Sequence, residues 1–128
     1  MDFRDAVGLV LQDGDAVRSY WNFWIGLSVG LLGLLAGMKD KDLAHRLRPV
    51  VLTGFILFAG SNLWALYKTQ EERLALQALA LGLARPGNEH SVAMALSVSR
   101  PFQYVPVHLL SDIFVCVGIV RLTRRAPR

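Results

Sequence analysis

Cysteine is nearly absent from this sequence, in which Cys116 is the only one among 128 residues. A disulfide within the chain is therefore excluded, and so is a zinc site built on closely spaced cysteine pairs. The eleven glycines form no P-loop or GxGxxG pattern, which excludes the common phosphate- and dinucleotide-binding loops. His45 and His90 lie in polar segments without further ligands at metal-binding spacing, so we expect no metal and no cofactor.

Charged residues are absent or scarce in three long stretches. Residues 19–38 and 49–67 contain no Asp, Glu, Lys, Arg or His, and residues 104–120 contain only His108 and Asp112. Twenty helical residues extend about 30 Å, which matches the hydrocarbon core of a bilayer. The sequence therefore predicts an all-α fold and a single membrane domain over residues 1–128, an integral membrane bundle of three transmembrane helices in contact with the lipid bilayer.

The segment before the first span, residues 1–18, combines a short amphipathic helix with a turn. Apolar residues recur at helical spacing, and the turn is predicted at residues 12–15, where Asp and Gly cluster. This N-terminal helix either lies in the membrane interface or caps the bundle, and the sequence does not decide between the two. It is not a signal peptide, because its start is acidic and no cleavage site follows.

Residues 39–48 are predicted to be a basic connection, with Pro49 in the first turn of the second helix. No helix breaker follows Tyr67 until residue 82, so this helix is expected to continue beyond the span. Residues 68–103 then form an extramembrane helical hairpin, broken at Arg85-Pro86-Gly87, with Asn88 capping a short helix that reaches Ser99. Its first half is rich in leucine and needs cover from lipid or protein.

Basic residues are concentrated in two of the segments between and after the spans. Four lie in residues 39–48 and four in the tail, residues 121–128, where they are Arg121, Arg124, Arg125 and Arg128. Because basic residues near span ends favour the cytoplasmic side, we expect the C-terminus in the cytoplasm and the N-terminus outside, as in a bacterial inner membrane. This bias also explains the net charge of +4 without nucleic acid.

Small and aromatic residues mark the predicted contacts of the spans. Four glycines lie on one stripe of the first span and are expected to pack against another helix, in this chain or in another copy: Gly26, Gly30, Gly33 and Gly37. Six aromatic residues lie near the span ends, where such rings favour the headgroup layer: Tyr20, Trp21, Trp24, Trp64, Tyr67 and Tyr104.

Asp112 is an ionisable residue near the middle of the third span. His108 lies one turn away on the same face, Ser111 is adjacent, and Asn62 is at a matching depth in the second span. Two interpretations remain open. These side chains either join the helices by hydrogen bonds or form a proton- or cation-responsive cluster.

Catalysis is not expected from this intramembrane cluster. Ser111, His108 and Asp112 share one helix and cannot take the positions of nucleophile, base and orienting acid. Cys116 is interpreted as a small packing residue. No catalytic residue is therefore assigned.

The predicted function is that of a small multi-pass membrane protein without enzymatic activity, which self-associates as a homo-oligomer or joins other membrane subunits. The three-span layout with a basic cytoplasmic tail resembles the larger class of phage holins, a likeness of topology alone. The alternative is therefore an oligomeric pore or a proton-coupled permease subunit that uses the Asp112 and His108 pair.

Overall fold

The computed structural model describes residues 1–96 and 100–124. Its elements, in chain order, are α1 (Phe3–Gly37), α2 (Lys41–Leu83), α3 (Asn88–Ala95), a short 3₁₀ turn (Pro101–Gln103) and α4 (Tyr104–Leu122). The described residues contain no β-strand, which agrees with the predicted all-α class. Three of the helices, α1, α2 and α4, are long and apolar enough to cross a membrane.

α1 is one continuous helix of 35 residues. Asp2 caps its first turn: the Asp2 carboxylate accepts from the backbone N–H of Asp5, and the Asp5 carboxylate accepts from that of Asp2. The predicted turn at residues 12–15 is wrong. Glycine inside a helix costs about 1 kcal/mol, and Gly14 is tolerated there because α2 packs beside it.

The buried side of α1 follows a seven-residue repeat. Val10, Val17 and Trp24 are buried in one row, and Ser28 and Leu35 in a second row displaced from it by four residues. Such paired rows form the seam of a coiled coil, in which one helix packs along another over its whole length. α1 accordingly packs chiefly against α2.

α2 begins earlier than predicted, because Asp40 caps it: the Asp40 carboxylate accepts from the backbone N–H of Leu43. The connection between α1 and α2 therefore shrinks from residues 39–48 to residues 38–40. We call the end of the bundle at which this connection lies the turn end. Pro49 lies inside the helix rather than in its first turn, and it lacks the N–H that would donate to the carbonyl of His45.

The continuation of the second helix is confirmed, since α2 extends without interruption to Leu83. Its last four turns pack against the first turns of α1, where Nε of Arg73 donates to the carbonyl of Val10 at 3.3 Å. Ala6 in α1 and Ala80 in α2 are fully buried. The N-terminal segment thus packs on protein as part of α1 and supplies cover for the leucine-rich segment.

The chain reverses between α2 and α3 at the predicted break. Gly87 has a φ of 107° and occupies the N-cap of α3. This left-handed backbone conformation favours glycine. Asn88 is the first residue of the helix rather than its cap, and α3 ends at Ala95. Ser99, the predicted end of that helix, lies outside the described residues, as do Arg125 and Arg128 of the tail.

α4 packs against both long helices. The apolar core of the bundle joins residues from all three: Trp24, Leu35, Phe55, Ala59, Val115 and Ile119. α4 includes the whole predicted third span and continues to Leu122, so the first residues of the predicted tail are helical. The core therefore lies between three helices in their apolar stretches.

Candidate functional site

Polar side chains from α2 and α4 meet inside the bundle. His108 and Asp112 lie one turn apart in α4, with Nδ1 of His108 2.8 Å from Oδ2 of Asp112. Nδ2 of Asn62 lies 3.1 Å from Nε2 of the same imidazole. The structure thus brings together Asn62, His108 and Asp112, which the sequence placed at matching depths.

Trp24 of α1 joins the same group. Its indole Nε1 donates a hydrogen bond of 2.9 Å to Oδ1 of Asp112, and its side chain is buried. Trp24 therefore faces the interior of the bundle, while its predicted depth in the headgroup layer stays a prediction. Trp21 is half-buried beside it, with its ring centroid 5.3 Å from that of His108, so Trp21 also faces the bundle. We call Trp24, Asn62, His108 and Asp112 the polar network.

The polar network is complete with a neutral imidazole. When Nδ1 of His108 carries the proton, it donates to Asp112, and Nε2 accepts from the amide of Asn62. The ionised carboxylate then accepts one hydrogen bond at each oxygen, from Trp24 and from His108. Every contact in the network has one donor and one acceptor, and the network links α1, α2 and α4.

Aromatic rings separate the polar network from its surroundings. His108 is fully buried between Trp21 and Trp24, whose ring centroids lie 5.3 and 5.4 Å from that of the imidazole. The side chain of Asp112 is only 14% exposed. Hydrogen bonds are electrostatically stronger where water is excluded, and an unpaired polar group there is correspondingly costly.

Ser111 is not part of the polar network. Its Oγ donates to the carbonyl of Val107 in its own helix at 2.9 Å, and the side chain is partly exposed. A serine hydroxyl satisfied in this way is common within helices. Ser111, which was predicted to belong to the cluster, thus lies outside it, and Trp24, which was not, belongs to it.

Residues 26–30 match the GxSxG pattern, which the sequence analysis did not use. In α/β-hydrolases this pattern places its serine on a sharp turn between a strand and a helix, where the hydroxyl is exposed. Here Ser28 lies in the middle of α1 and is 3% exposed. The match therefore carries no nucleophile, and Ser28 belongs to the buried seam of α1.

The glycine stripe of α1 faces away from the rest of the chain. All four glycines are exposed, and a Cβ added at any of them would meet nothing within 4 Å: Gly26, Gly30, Gly33 and Gly37. The second and third spans are thus not the partners of this stripe. The close approach of α1 and α4 occurs instead at Gly118, where an added Cβ would lie 2.9 Å from Cδ2 of Leu32.

The remaining predicted anchors lie toward the outside of the bundle. Trp64 is 64% exposed, and its ring stacks nearly parallel to that of Tyr67, with Nζ of Lys68 5.3 Å from the Trp64 centroid. Tyr20 and Tyr104 are partly exposed. These positions are compatible with the headgroup layer, which stays a prediction.

A second polar contact, at the turn end, was missed by the sequence analysis. Arg48 of α2 donates from Nε to Oγ1 of Thr123 and from Nη2 to the carbonyl of Thr123, both at 2.8 Å, and Nη2 lies 2.8 Å from Nδ1 of His45. The guanidinium thereby satisfies a carbonyl at the end of α4 that has no partner in its own helix. Residues 39–48 and the described part of the tail, residues 121–124, consequently lie at one end of the bundle.

The described residues hold no group of three or more His, Cys, Asp and Glu side chains that could ligate a metal ion. What the polar network can do chemically is hold helices together or, if its bonds rearrange, move a proton between His108 and Asp112.

Comparison of the chain with models of protein families, with curated proteins and with solved structures found no match.

Proposed function

We propose that this chain is a multi-pass membrane protein without enzymatic activity, which self-associates or serves as a subunit of a membrane assembly. The observation that carries the proposal is the polar network, in which Trp24, Asn62, His108 and Asp112 satisfy one another. One side chain comes from each of α1 and α2 and two from α4. The network therefore holds three apolar helices in one arrangement.

The arrangement favours a structural role over proton transfer. A relay needs a group that can take up or release a proton toward a neighbour outside the network. In the observed network both nitrogens of His108 and both oxygens of Asp112 are engaged, and His108 is fully buried. Hydrogen bonds of this kind between membrane helices contribute about 1 kcal/mol each and select which helices pair.

The surface that we assign to assembly is the glycine stripe of α1 with the groove beside it. Gly30 in α1 and Gly54 in α2 line this groove, which measures about 460 Å³ and is otherwise walled by apolar side chains. Stripes of small residues let helix backbones approach closely in lipid. Since no helix of the described chain covers this face, the partner in the proposal is another molecule.

The proposal is tested by Gly30→Leu, with Gly60→Leu as the matched control. Both glycines lie in apolar stretches with open space around them, but Gly60 is in α2, away from the stripe. We expect Gly30→Leu to lower the mass of the detergent-solubilised particle, measured by light scattering, while Gly60→Leu leaves it unchanged. A parent particle of one chain, or equal effects of the two variants, contradicts self-association through the stripe.

A second candidate function, a pore or a proton-coupled permease subunit, is favoured by one observation. The His108 and Asp112 pair lies near the middle of α4, and Asp112 keeps 14% of its side-chain surface exposed. Ionisable residues inside membrane spans commonly mark ion or proton pathways. Proton flux into sealed vesicles distinguishes this candidate from the first, as described for the Asp112 variants below.

For the orientation, we propose the N-terminus outside and the C-terminus in the cytoplasm, as in a bacterial inner membrane. The support is the concentration of basic residues at the turn end, where Arg48 contacts Thr123. Reporter fusions test it. We expect a cytoplasm-only reporter to be active after Arg128 and a periplasm-only reporter to be active within residues 70–95, and the reverse pattern would contradict the orientation.

A further inference from the structure

A groove runs between α2 and α4 toward the turn end of the bundle. Leu52 and Ile56 of α2 form one wall, Val117 and Val120 of α4 form the other, and Cys116 completes the lining. The groove measures about 420 Å³. Its walls lie within the predicted spans, so it opens toward the acyl chains of the bilayer.

Two arginines lie at the end of this groove. Arg121 and Arg124 line it together with the apolar side chains, and both residues are exposed. Within the described part of the chain, neither guanidinium has an ion pair or a hydrogen-bond partner. The groove is thus apolar along its length and carries two uncompensated positive charges where its helix reaches the predicted membrane surface.

We propose that this groove binds an anionic phospholipid, with an acyl chain between Leu52 and Val117 and the phosphate on Arg121 and Arg124. Guanidinium groups bind phosphate through paired hydrogen bonds. Basic pockets between transmembrane helices are established sites for anionic headgroups. An anionic phospholipid matches both parts of the groove. Its acyl chain fits the apolar walls, and its negative phosphate lies at the end that carries the two arginines.

The charge distribution argues against the other occupants. A second copy of this chain would bring its own basic turn end toward Arg121 and Arg124 if it packed side by side in the same orientation, and like charges there repel. A zwitterionic lipid fits the apolar walls but places a cation near the same arginines. Charge complementarity therefore selects an anionic lipid.

Comparison with another groove of the same bundle supports this choice. The groove lined by Gly60, Leu63 and Trp64 also has a basic residue nearby, Lys68, but the ammonium group of Lys68 is 2.7 Å from the carboxylate of Glu71. That charge is already compensated. Of these two grooves, only the one between α2 and α4 has a free positive charge beside its apolar walls, from Arg121 and Arg124.

The test measures the binding of dioleoyl phosphatidylglycerol to the full chain in detergent by native mass spectrometry. We expect dioleoyl phosphatidylglycerol to bind more tightly than dioleoyl phosphatidylcholine. A basic contact near the membrane surface is worth about fivefold in affinity, so Arg121→Gln with Arg124→Gln should weaken binding about 25-fold. The matched control, Lys39→Gln with Arg46→Gln, removes two charges from the same end but away from the groove and should retain the affinity within about threefold.

Cys116 supplies a second readout, because it is the only cysteine in the chain and lines the groove. Phosphatidylglycerol should slow alkylation of Cys116 in the parent and in the Lys39/Arg46 control but not in the Arg121/Arg124 variant. Glycerol 3-phosphate, a headgroup without acyl chains, should neither protect Cys116 nor compete. Equal losses in both double variants, competition by glycerol 3-phosphate, or an unprotected Cys116 would each overturn the proposal.

Discussion

The indole of Trp24 and the carboxylate of Asp112 are joined by a hydrogen bond of 2.9 Å across 88 positions of sequence. The bond connects α1 to α4 inside the bundle and occupies the oxygen of Asp112 that His108 leaves free. A carboxylate within an apolar bundle costs at least about 2.5 kcal/mol unless it is paired. Trp24 and His108 together provide that pairing.

Trp24→Phe should destabilise the bundle by about 1 kcal/mol, because it removes one interhelical hydrogen bond and leaves Oδ1 of Asp112 without its donor. The measurement is reversible unfolding in mixed detergent micelles. Trp21→Phe is the control, since Trp21 packs on His108 through its ring, with no hydrogen bond from its indole within the described residues. Equal losses in the two variants would assign the effect to ring size rather than to the hydrogen bond.

Asp112→Asn should keep the network, whereas Asp112→Leu should lose about 1–2 kcal/mol of stability through two missing hydrogen bonds. The new amide can accept from Trp24 and donate to Nδ1 of His108 if the imidazole proton moves to Nε2 and the amide of Asn62 turns over. The measurements are unfolding in micelles and the tautomer of His108 by nitrogen NMR. Stability of the Asn variant as low as that of the Leu variant would contradict the hydrogen-bonding role.

The same Asp112 variants decide between assembly and transport. If the network is structural, parent vesicles should show no proton flux above empty vesicles between about pH 5 and pH 8, the range in which a histidine titrates. If the pair conducts protons, the parent should show flux and both variants should lose it while still assembling. Flux in the parent would therefore overturn the structural role.

Gly118→Ile should destabilise the fold by about 1–3 kcal/mol, the usual cost of overpacking a tight contact. An added Cβ already lies 2.9 Å from Cδ2 of Leu32, and the rest of the isoleucine side chain would have to displace that leucine. Gly60→Ile is the control, because a Cβ there meets nothing within 4 Å of the described chain and Gly60 lies away from the glycine stripe. Thermal unfolding in detergent should separate the two, and similar melting temperatures would contradict the close approach of α1 and α4.

Arg48→Ala should cost about 1–2 kcal/mol, since it removes the two hydrogen bonds to Thr123 and a positive charge at the C-terminus of α4. Arg48→Lys should recover part of this loss, because lysine restores the charge but not the paired geometry. Arg46→Ala, at an exposed position in the same turn of α2, should have little effect on unfolding. A loss in that control as large as in Arg48→Ala would show that the link to Thr123 contributes nothing.

The helices were predictable because long runs without charge or breakers leave few alternatives. α1 and α2 both begin before the predicted spans, because Asp2 and Asp40 cap them there. These caps are local features that the sequence contains. The turn predicted at residues 12–15 relied on local turn propensity, which the packing of α2 against Gly14 overrides. Arg73 lies on that glycine, with Nη2 3.1 Å from the position of an added Cβ.

Three of the four residues of the polar network could be predicted from the sequence, because His108 and Asp112 lie one helical turn apart and Asn62 is at a similar depth. Trp24 was missed, since its position near the start of the span suggested a headgroup contact. The seven-residue spacing of Val10, Val17 and Trp24 was the available signal that Trp24 faces inward. Arg48 had no comparable signal, because its partner Thr123 is 75 residues away and is placed by tertiary packing alone.

The order of the network along the chain has a consequence for synthesis at the ribosome. In the proposed membrane topology, α1 and α2 contain no ionisable group within their apolar spans apart from tyrosine, so this pair can enter the bilayer unaided. α4 emerges last and carries both His108 and Asp112, whose partition into lipid is unfavourable. By then Trp24 and Asn62 are already in the membrane. Their hydrogen bonds to Asp112 and His108 therefore make the insertion of α4 favourable.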